Sequence, residues 1–515
     1  MTKKRFKILL VNPPSVCLIP SGFKGYSFYD YLKSSEPDHD HLPGEHLGIQ
    51  YIAAYLDSKR KDTETFLLNA CVERHTNIQQ TYDSIVSYGE LDVIGFTGPF
   101  NVFEEVLWLA KQIKAHCPNT KIVYGQYFAS LNYAQILEKY PVFDYICVGD
   151  GEVPFERFIA YLNDEISIDR IPSFAYIKNG KCVLNQIIYD YTDLKTLIPR
   201  REYAEKVLDA GMNLSITASR GCPYRCSFCV SGSLMSKGKS HANYLLRDPV
   251  AFVDELEQLK KRYGIKRVVF VDDTFAAGTL QAKEQTRQIA TEIIRRDLQL
   301  SIMIDTRIDC IDECLFKLLK QAGLSKAFVG IESNNSSALN IYNKGYNQQD
   351  VKQRLAILQK LDIKIIPGII NFNPKSTVQE LKHNVDFILD LNKDYSIKLS
   401  NSFIPYPGTV LTNQFIQSGN VIGDFPYYTV KYDCNRVELL QKYFVLFNKI
   451  YTKTRNLCTT PSIIKHMEYV SEYFFNKMLE IAEKSDSNDK YKQCFDAIVE
   501  EINLINRMMP TRLCF

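Results

Sequence analysis

The stretch that most strongly constrains the fold is Ser219-Arg220-Gly221-Cys222-Pro223-Tyr224-Arg225-Cys226-Ser227-Phe228-Cys229, which follows an apolar, strand-like run. Its three cysteines stand within eight residues on a loop opened by Gly-Cys-Pro. Cysteine thiolates are the usual protein ligands of iron–sulfur clusters. Three of them leave one iron of a cubane open to the amino and carboxylate groups of a small molecule. We therefore predict that Cys222, Cys226 and Cys229 bind a [4Fe–4S] cluster.

A zinc site is the alternative for this triplet. A closed structural zinc site takes four ligands, normally as two separated pairs. No second pair lies nearby, and His241 stands alone twelve residues further on. The remaining eleven of the 14 cysteines are scattered, which is typical of small buried apolar residues. Cys310 and Cys314 lie at helical spacing, and we expect no second cluster.

Downstream of this loop, apolar runs alternate with amphipathic stretches in about six strand–helix units, a pattern typical of a parallel barrel. The predicted strands are Leu214–Ala218, Arg267–Val271, Leu300–Ile304, Ala327–Ile331, Ile363–Ile370 and Ser396–Phe403. The predicted helices between them are Pro249–Tyr263, Leu280–Arg296, Asp312–Ala322, Gln349–Leu361 and Thr377–Leu391. After Thr409 the pattern is helical, with helices predicted over Asn435–Thr454, Ser462–Lys484 and Asp489–Met508.

Upstream of the loop a second alternation predicts a parallel, doubly wound sheet, in which ligands bind at the carboxyl ends of the strands. The predicted strands are Lys7–Val11, Thr65–Leu68, Val93–Thr97, Lys121–Tyr124 and Tyr145–Val148. The predicted helices are Leu47–Asp57, Phe103–His116, Tyr133–Tyr140 and Pro154–Asn163. Asn179-Gly180 between Phe174–Ile177 and Cys182–Asn185 indicates a β-hairpin.

Together these patterns predict an α/β protein in four parts. Residues 1–165 form a Rossmann-like domain, and residues 166–211 form a hairpin linker that packs across the domain junction. Residues 212–415 form a partial (β/α)6 barrel of the TIM type. Residues 416–515 form a helical C-terminal domain.

Composition narrows the range of partners. The chain has 515 residues and a formal net charge of +3, which gives no basis for a nucleic-acid partner. No run reaches the ~18 apolar residues of a membrane span. The apolar run at 6–11 is too short for a signal-peptide core. We therefore expect a cytoplasmic protein without a membrane span, and its oligomeric state stays open.

The spacing Cys-x3-Cys-x2-Cys, with an aromatic residue before the last cysteine, resembles the radical S-adenosylmethionine (SAM) superfamily. The resemblance continues at the ends of the later strands, in Val271-Asp272-Asp273-Thr274-Phe275, Asp305-Thr306-Arg307-Ile308-Asp309, Gly330-Ile331-Glu332-Ser333, Pro367-Gly368-Ile369-Ile370 and Pro405-Tyr406-Pro407-Gly408-Thr409. It implies that SAM is bound by Phe228, Asp272, Arg307, Glu332, Ser333 and Gly368.

The order of the domains resembles the cobalamin-binding branch of that superfamily, over residues from about 5 to 415. The matching motifs are Asn12-Pro13-Pro14, Leu47-Gly48-Ile49-x-Tyr51-Ile52-Ala53-x-Tyr55-Leu56, Ile94-Gly95-Phe96-Thr97-Gly98 and Gly149-Asp150-Gly151-Glu152-x-Pro154-Phe155. The resemblance implies that strand-end loops hold cobalamin through Asn12, Pro13, Thr97, Gly98, Tyr124, Gly125, Gln126, Gly149, Asp150 and Glu152.

Two features depart from that pattern. The Asp-x-His-x-x-Gly motif, which supplies a lower cobalt ligand in many cobalamin proteins, is missing after the first strand, as it is in many members of the radical branch. This implies cobalt without a histidine below it. Tyr124-Gly125-Gln126 stands where relatives commonly carry two glycines. The segment with His39, His41 and His46 is open to several interpretations: a polar rim of the site, a metal ligand, a ligand above cobalt, or a proton carrier.

The resemblance implies the chemistry of class B methyltransferases. The reduced cluster cleaves SAM, and the 5′-deoxyadenosyl radical removes a hydrogen from an unactivated carbon of a peptide or small natural-product substrate. Methylcobalamin then delivers a methyl group, and a flavodoxin- or ferredoxin-type protein supplies electrons. The C-terminal helices are expected to cap the barrel mouth. Their aromatic residues line the substrate pocket or form a helix-packing core: Tyr427, Tyr428, Phe444, Phe447, Tyr469, Tyr473 and Phe474.

Two alternatives remain. One is a radical oxidase, cyclase, rearrangement enzyme or epimerase that uses the same cofactors without net methyl transfer. The other is a non-catalytic cobalamin-binding protein.

Overall fold

The computed structural model describes residues 5–15, 44–187, 195–237, 244–392, 398–457 and 460–508. The strands of its N-terminal part are β1 Phe6–Asn12, β2 Thr63–Asn69, β3 Val93–Thr97, β4 Lys121–Gly125, β5 Tyr145–Cys147, β6 Phe174–Lys178 and β7 Lys181–Leu184. They form one sheet in the order β2-β1-β3-β4-β5-β6-β7. Strands β1 to β5 run parallel, as the alternating pattern predicted.

Helices cover both faces of this sheet. They are α1 Leu47–Lys59, α2 Ile78–Ser87, α3 Phe103–His116, α4 Tyr127–Leu131, α5 Tyr133–Lys139 and α6 Glu152–Leu162. In β1, Ile8 and Leu10 pack in one core cluster, whereas Leu9 and Val11 pack in another. A strand buried on both faces is typical of a doubly wound fold. The sequence predictions had omitted α2 and α4.

The hairpin of β6 and β7 was predicted as part of a linker. In the structure, β6 pairs antiparallel with β5, and β7 pairs antiparallel with β6. The hairpin therefore extends the N-terminal sheet. Later residues of the predicted linker do lie at the domain junction. Arg201, for example, forms ion pairs with Glu45 of the N-terminal part and with Glu255 of the barrel helix α9.

The second part of the chain contains a barrel-like sheet. Its strands are β8 Leu214–Ile216, β9 Ser219–Arg220, β10 Leu245–Leu246, β11 Arg267–Phe270, β12 Ser301–Arg307, β13 Leu324–Glu332 and β14 Lys364–Ile369. Strands β8 and β11 to β14 run parallel in the order β14-β13-β12-β11-β8. The short pair of β9 and β10 is antiparallel, and β9 leads directly into the three cysteines.

Helices alternate with these strands. They are α7 Ala204–Asp209, α8 Val230–Lys237, α9 Pro249–Tyr263, α10 Leu280–Arg295, α11 Glu313–Gln321, α12 Ser336–Ile341, α13 Gln348–Lys360 and α14 Val378–Leu391. Local signals set the ends of α9. The Asp248 side chain accepts a hydrogen bond from the Ala251 N–H, Pro249 occupies the first turn, and Gly264 ends the helix at φ +64°.

The sixth predicted strand, Ser396–Phe403, is not a full strand. Residues 396 and 397 lie outside the described residues, and the rest forms a single parallel bridge between Phe372 and Ser402. Pro374 and Pro405 flank this bridge, and proline lacks the N–H that a longer ladder needs. In the part of the chain that the structure describes, the barrel therefore has five paired strands and one bridge at the sixth position.

The C-terminal part is helical as predicted. Its elements are α15 Val410–Gln417, β15 Val421–Ile422, β16 Thr429–Val430, α16 Asn435–Leu457, α17 Pro461–Lys484 and α18 Asn488–Met508. Helix α16 lies beside the sixth barrel position, since Asn448 donates to the Ser400 hydroxyl at 2.9 Å. Helix α17 contacts α14. Of the described helices, none is long and apolar enough to cross a membrane.

The aromatic residues of this part fall into two groups. Phe444, Phe447 and Phe474 are buried, and the rings of Phe447 and Phe474 stack with centroids 4.1 Å apart. Tyr427, Tyr469 and Tyr473 are exposed. For the three phenylalanines, the helix-packing core was the correct interpretation.

Candidate functional site

A cavity of about 520 Å³ lies between the N-terminal sheet and the barrel. One wall consists of residues at the carboxyl ends of β3 and β4 and at the start of α1, including Thr97, Gly125 and His46. The other wall includes Arg220 and Gly221, which directly precede Cys222, and Asp273 beyond β11. The position agrees with the rule that doubly wound sheets bind ligands at the carboxyl ends of their strands.

The three predicted cluster ligands lie on the loop between β9 and α8. Cys222 and Cys226 are buried, and Cys229 is half-buried. The Thr274 hydroxyl lies 3.2 Å from Cys222 Sγ, and Arg307 donates an N–H to Cys226 Sγ at 2.8 Å. Hydrogen bonds of this kind stabilise thiolate and tune cluster potential. The surroundings of the triplet therefore fit a cluster.

The loop is held in place by its neighbours. The Ser227 hydroxyl donates to the Ile341 carbonyl at 2.6 Å, and the Ser227 N–H donates to the Tyr342 carbonyl at 3.1 Å. A Cβ at Gly232 would lie 3.0 Å from the Cys226 carbonyl oxygen. Glycine at this position lets α8 pack directly against the cysteine loop.

Burial favours the neutral thiol at two of the three cysteines, Cys222 and Cys229. Burial is the main cause that raises the pKa of Cys222, and it raises the pKa of Cys229 to about 12. Metal binding to such thiols releases their protons. Among the residues that the structure describes, no group of three His, Cys, Asp or Glu side chains is arranged to hold one metal ion. A cubane does not require such convergence, because each thiolate binds a different iron.

Arg307 is fixed on several sides. Its guanidinium pairs with Asp309 at 2.9 Å, donates to the Lys344 carbonyl, and lies 3.9 Å from the centroid of the Tyr224 ring. Tyr224 belongs to the cysteine loop. Arg307, which was predicted to bind SAM, thus contacts both Cys226 and the rest of the cysteine loop.

Three carboxyl groups lie near the ends of β11 and β12. Asp272 is buried and accepts hydrogen bonds from the Ala218 N–H at 3.0 Å and the Ser219 hydroxyl at 2.5 Å, so it secures the strand that leads into the cysteine loop. Asp273 accepts from Tyr127 at 2.8 Å and from Ser231 at 2.7 Å. Burial raises the pKa of Asp272 to about 6.

Asp305 differs from the other two carboxyl groups. Burial raises its pKa to about 7, and the charges of Asp272 and Asp273 add to the rise. In the sheet it pairs with Phe328 of β13, which in turn pairs with Ile366 of β14. All three side chains are partly exposed. They share one face of the sheet, the face that Arg307 also occupies two residues later.

The other predicted SAM residues have the following neighbours. Glu332 ends β13 at φ +62° and pairs with Lys344 at 3.0 Å, and the Lys344 ammonium lies 5.7 Å from the Phe228 ring. The Ser333 hydroxyl is buried and bonds to Asn384 at 3.3 Å. A Cβ at Gly368 would lie 2.7 Å from the Phe328 ring. Phe228, Lys344, Glu332 and Arg307 thus lie together, whereas Ser333 is engaged in a buried amide network.

The residues predicted to bind cobalamin fall into two groups, those that line the cavity and those that do not. Six of them line the cavity: Thr97, Gly125, Gln126, Gly149, Asp150 and Glu152. Asn12, Pro13, Gly98 and Tyr124 do not line it. The Tyr124 ring is fully buried between Phe103 and Phe143 and donates to the Gly98 carbonyl at 2.8 Å. A cofactor contact predicted for Tyr124 can therefore concern its backbone and not its ring.

Gln126 meets a specific test of fit. It adopts φ +84° and ψ 174°, a region that is essentially restricted to glycine. Its Oε1 atom is buried and has no hydrogen-bond partner among the residues that the structure describes. A strained backbone together with an unpaired amide oxygen in a cavity-lining residue fits a site where a polar ligand supplies the missing partner.

His46 lines the cavity, in agreement with its interpretation as part of a polar rim, and several other lining residues were missing from the predicted site: Gly48, Tyr51, Tyr127, Ser130, Arg220 and Asp273. Arg220 pairs with Glu152 at 2.6 Å and lies 4.6 Å from the Tyr51 ring centroid. The signal available for Arg220 was its position directly before Gly221-Cys222. Tyr127 and Ser130 follow β4, and their place after a parallel strand could have indicated them.

Comparison with known proteins identifies both halves of this arrangement. A family model of the Radical SAM superfamily matches residues 216–388, and a B12 binding domain model matches residues 41–159. The chain belongs to the cobalamin-dependent radical SAM enzymes. Its cofactors are a [4Fe–4S] cluster, SAM and cobalamin, and the cavity lies where the two matched domains meet.

Individual relatives of this enzyme are distant. The chain is 25% identical over 376 residues to the uncharacterized methyltransferase PH0819 of Pyrococcus horikoshii, covering 72% of this chain and 78% of that protein. It is 28% identical over 360 residues to the anaerobic magnesium-protoporphyrin IX monomethyl ester cyclase of Rubrivivax gelatinosus, covering 67% and 62%. The chain thus spans less than two thirds of the cyclase.

Solved structures share the fold of this radical SAM enzyme. OxsB, a cobalamin-dependent SAM radical enzyme solved with aqua-cobalamin and SAM, superposes with a TM-score of 0.78 at 16% identity. The match covers 98% of this chain and 80% of that chain. The likeness extends through the C-terminal helices, so the whole described architecture is common to both.

Proposed function

We propose that this enzyme transfers a methyl group to an unactivated carbon of a peptide or small natural-product substrate. The observation that carries the proposal is the shared cavity: residues of the B12-binding domain and of the cysteine loop line the same 520 Å³ volume. A site for carbon methylation needs both cofactors to reach one substrate. The similarity to PH0819, which is named a methyltransferase, supports the same reaction.

Bound cofactors supply the reactive chemistry: the cluster with SAM supplies a hydrogen-abstracting radical, and cobalamin supplies the methyl group. The residues of the chain bind, orient and shield. Cys222, Cys226 and Cys229 hold the cluster. The Arg307 guanidinium donates an N–H to Cys226 Sγ and lies over the ring of Tyr224. These two contacts hold the cysteine loop in place. Positioning of this kind lowers the entropic barrier to reaction.

SAM is proposed to lie inside the barrel, beside Phe228, Asp272, Arg307, Glu332, Ser333 and Gly368. The contact between Lys344 and Glu332 leaves a paired carboxylate near Phe228, which supports a site for the amino acid end of SAM. Cobalamin is proposed to contact Asn12, Pro13, Thr97, Gly98, Tyr124, Gly125, Gln126, Gly149, Asp150 and Glu152. The six of these that line the cavity support this assignment.

The remaining assignments complete the proposal. The domain ranges of the barrel and the helical part are 212–415 and 416–515, with the last capping the substrate, whereas the N-terminal domain extends beyond the predicted residue 165 to include the β6–β7 hairpin and shortens the linker accordingly. A flavodoxin- or ferredoxin-type protein reduces the cluster, and the enzyme works in the cytoplasm. The finding that no described helix is suited to cross a membrane is compatible with this location.

The experiment uses the reconstituted, reduced full chain with SAM whose methyl group carries deuterium, incubated with extract of the producing cells. Carbon methylation consumes two SAM molecules, so we expect S-adenosylhomocysteine and 5′-deoxyadenosine to appear together. One extract component should gain a deuterated methyl group. The Cys226→Ala variant is the control, because it should form no 5′-deoxyadenosine.

A second candidate is radical oxidation or cyclisation without methyl transfer. The 28% identity to the Rubrivivax cyclase favours it. In that case 5′-deoxyadenosine forms without stoichiometric S-adenosylhomocysteine, and the product lacks deuterium. If a fully loaded enzyme forms neither compound, catalysis itself is excluded and the non-catalytic alternative remains.

A further inference from the structure

A row of three side chains crosses the inner face of the barrel, just below the residues predicted to bind SAM. Asp305 of β12 pairs in the sheet with Phe328 of β13, and Phe328 pairs with Ile366 of β14. Two residues further along β12 and β14 stand Arg307 and Gly368, both of which were predicted to bind SAM. Side chains two residues apart in a strand share a face of the sheet. The row therefore belongs to the same lumen as the predicted SAM site.

This row reaches the cavity between the two domains. Ile304 pairs with Phe270 of β11, so the residues that follow them, Asp305 and Val271, are neighbours on the opposite face. Ile304 and Phe270 are buried in the core, whereas Asp305 is partly exposed and Val271 lines the cavity. The charge of Asp273, another cavity-lining residue, is one of the causes that raise the pKa of Asp305. The Asp305 carboxyl group thus faces the barrel interior beside the cavity.

The carboxylate of Asp305 has no partner. In the part of the chain that the structure describes, neither of its oxygens accepts a hydrogen bond and no cation pairs with it. The cations of the predicted SAM site are engaged elsewhere, since Arg307 pairs with Asp309 and Lys344 pairs with Glu332. Burial raises the pKa of Asp305 to about 7, because desolvation of the charge is not offset by any favourable contact. A cationic ligand would supply the missing contact.

The neighbours of this carboxylate are apolar. The side chain of Phe328 is 36% exposed, and a Cβ at Gly368 would lie 2.7 Å from its ring. Ile366 is partly exposed in the same row. A carboxylate beside an exposed aromatic ring is suited to an ammonium group, because the ion pair and the cation–π interaction act on the same charge.

The proposed reaction leaves Asp305 without a role as an acid or a base. Abstraction of a hydrogen atom and addition of a methyl group to the resulting carbon radical move no proton to or from a side chain. The amino acid end of SAM, which also carries an ammonium group, is proposed to lie beside Phe228 and Glu332. The cation that matches Asp305 is therefore sought on the substrate.

We propose that the substrate carries a protonated amine, which binds between the Asp305 carboxylate and the Phe328 ring while SAM and cobalamin occupy their own sites. This inference deepens the proposed function and rests on it in one respect, namely that the substrate lies between the two cofactors. It holds equally for methyl transfer and for radical oxidation or cyclisation. A substrate that is purely hydrocarbon would leave this carboxylate without a partner.

The experiment uses the full chain reconstituted with the cluster, SAM and hydroxocobalamin, and left unreduced so that no turnover occurs. Fluorine NMR measures the binding of para-fluorobenzylamine and of its uncharged counterpart, para-fluorobenzyl alcohol. At a pH of about 8, above the pKa of about 7 of Asp305, the carboxylate is charged. We expect the amine to bind roughly tenfold more tightly than the alcohol.

Two variants locate the source of this preference. Asp305→Asn keeps the shape of the side chain and removes its charge, so it should abolish the preference for the amine. Asp386→Asn, which changes an exposed carboxyl group of α14, should retain the preference. The comparison of amine and alcohol in the parent protein needs no variant and decides the question by itself if Asp305→Asn does not fold.

Equal affinities of the parent protein for the two compounds, or binding of neither, overturn the proposal. A preference for the amine that survives in Asp305→Asn also overturns it. Equilibrium dialysis with SAM separates the cofactor from the substrate: if Asp305→Asn weakens SAM binding as much as amine binding, the carboxylate serves SAM and the proposal is wrong. Because the enzyme is unreduced, these outcomes do not depend on methyl transfer. A missing deuterated product would defeat the proposed function and leave the amine result standing.

Discussion

The guanidinium of Arg220 lies 2.6 Å from the carboxylate of Glu152, and both side chains are largely buried. Arg220 ends the strand that leads into the cysteine loop, and Glu152 begins α6 of the B12-binding domain. This ion pair therefore joins the two cofactor-binding domains at the edge of their common cavity.

Removing this arginine should destabilise the protein. Arg220→Met leaves the carboxylate of Glu152, which is 2% exposed, buried without a counter-charge, and breaking such a pair costs roughly 3–5 kcal/mol. We expect a clear drop in the thermal midpoint by calorimetry. Arg295→Met, which removes an exposed partner of Glu292, should shift the thermal midpoint far less, because solvent screens an exposed ion pair. Equal losses in the two variants would contradict the role of the buried pair.

The cysteine triplet predicts a selective loss of iron. Cys226→Ala removes one of three ligands, so iron and labile sulfide after anaerobic reconstitution should fall to near background. Cys117→Ala changes an exposed thiol far from the loop in sequence and should retain the full content. Iron and sulfide assays, together with the absorbance of the cluster, measure the difference. Retained cluster in Cys226→Ala would disprove the ligand assignment.

Asp305 predicts a pH dependence of stability. The folded protein keeps a proton on this carboxyl up to a pKa of about 7, whereas the unfolded chain loses it near the ordinary value of 3.8. The folded state thus binds more protons in this window, so stability falls as pH rises through it. Asp305→Asn should flatten the dependence and stabilise the cofactor-free protein by roughly 1–3 kcal/mol above pH of about 7.

Thermal midpoints at a series of pH values check this expectation. Asp386→Asn is the control, because this carboxyl is exposed on the surface of α14. The control should follow the parent curve. A parent curve that rises between these two pKa values, or an Asp305→Asn curve identical to it, would refute the prediction.

Gln126 predicts opposite effects on stability and binding. Gln126→Gly relieves a backbone conformation that costs on the order of 1–3 kcal/mol, so the cofactor-free protein should be more stable. The same change removes the unpaired amide oxygen, and loss of one ligand hydrogen bond should weaken cobalamin binding about tenfold. Equilibrium dialysis and thermal unfolding measure the two effects. Gln126→Ala should weaken cobalamin binding without raising the stability. This variant therefore separates the effect of the side-chain amide from the effect of backbone strain.

Much of the fold was predictable because local signals agree with packing. The helices Phe103–His116 and Pro249–Tyr263 were predicted to the residue. The helix Ile78–Ser87 was missed because its surface is largely polar and only Thr81 and Ile85 are buried. The sixth barrel strand was overestimated because an apolar run does not reveal whether a partner strand continues beside it.

The site was less predictable, for a different reason. Strand β4 is covered on both faces, so alternation of polar and apolar residues could not indicate that the Tyr124 ring points into the core. The cysteine triplet could be predicted from the sequence because its three residues are closely spaced on one loop. His46 and Arg220 reach the cavity from different elements, and only the packing of the two domains brings them to one volume.

The β6–β7 hairpin has a consequence for how the chain can be divided. Without it, β5 would present a row of unpaired N–H and C=O groups, and open edges of this kind recruit strands from other molecules. A fragment that stops at residue 165 should therefore self-associate, whereas one that extends to residue 187 should stay monodisperse. Lys178 and Lys181 are exposed on the hairpin, and charges there discourage further strand addition. The hairpin thus acts as a built-in guard against aggregation.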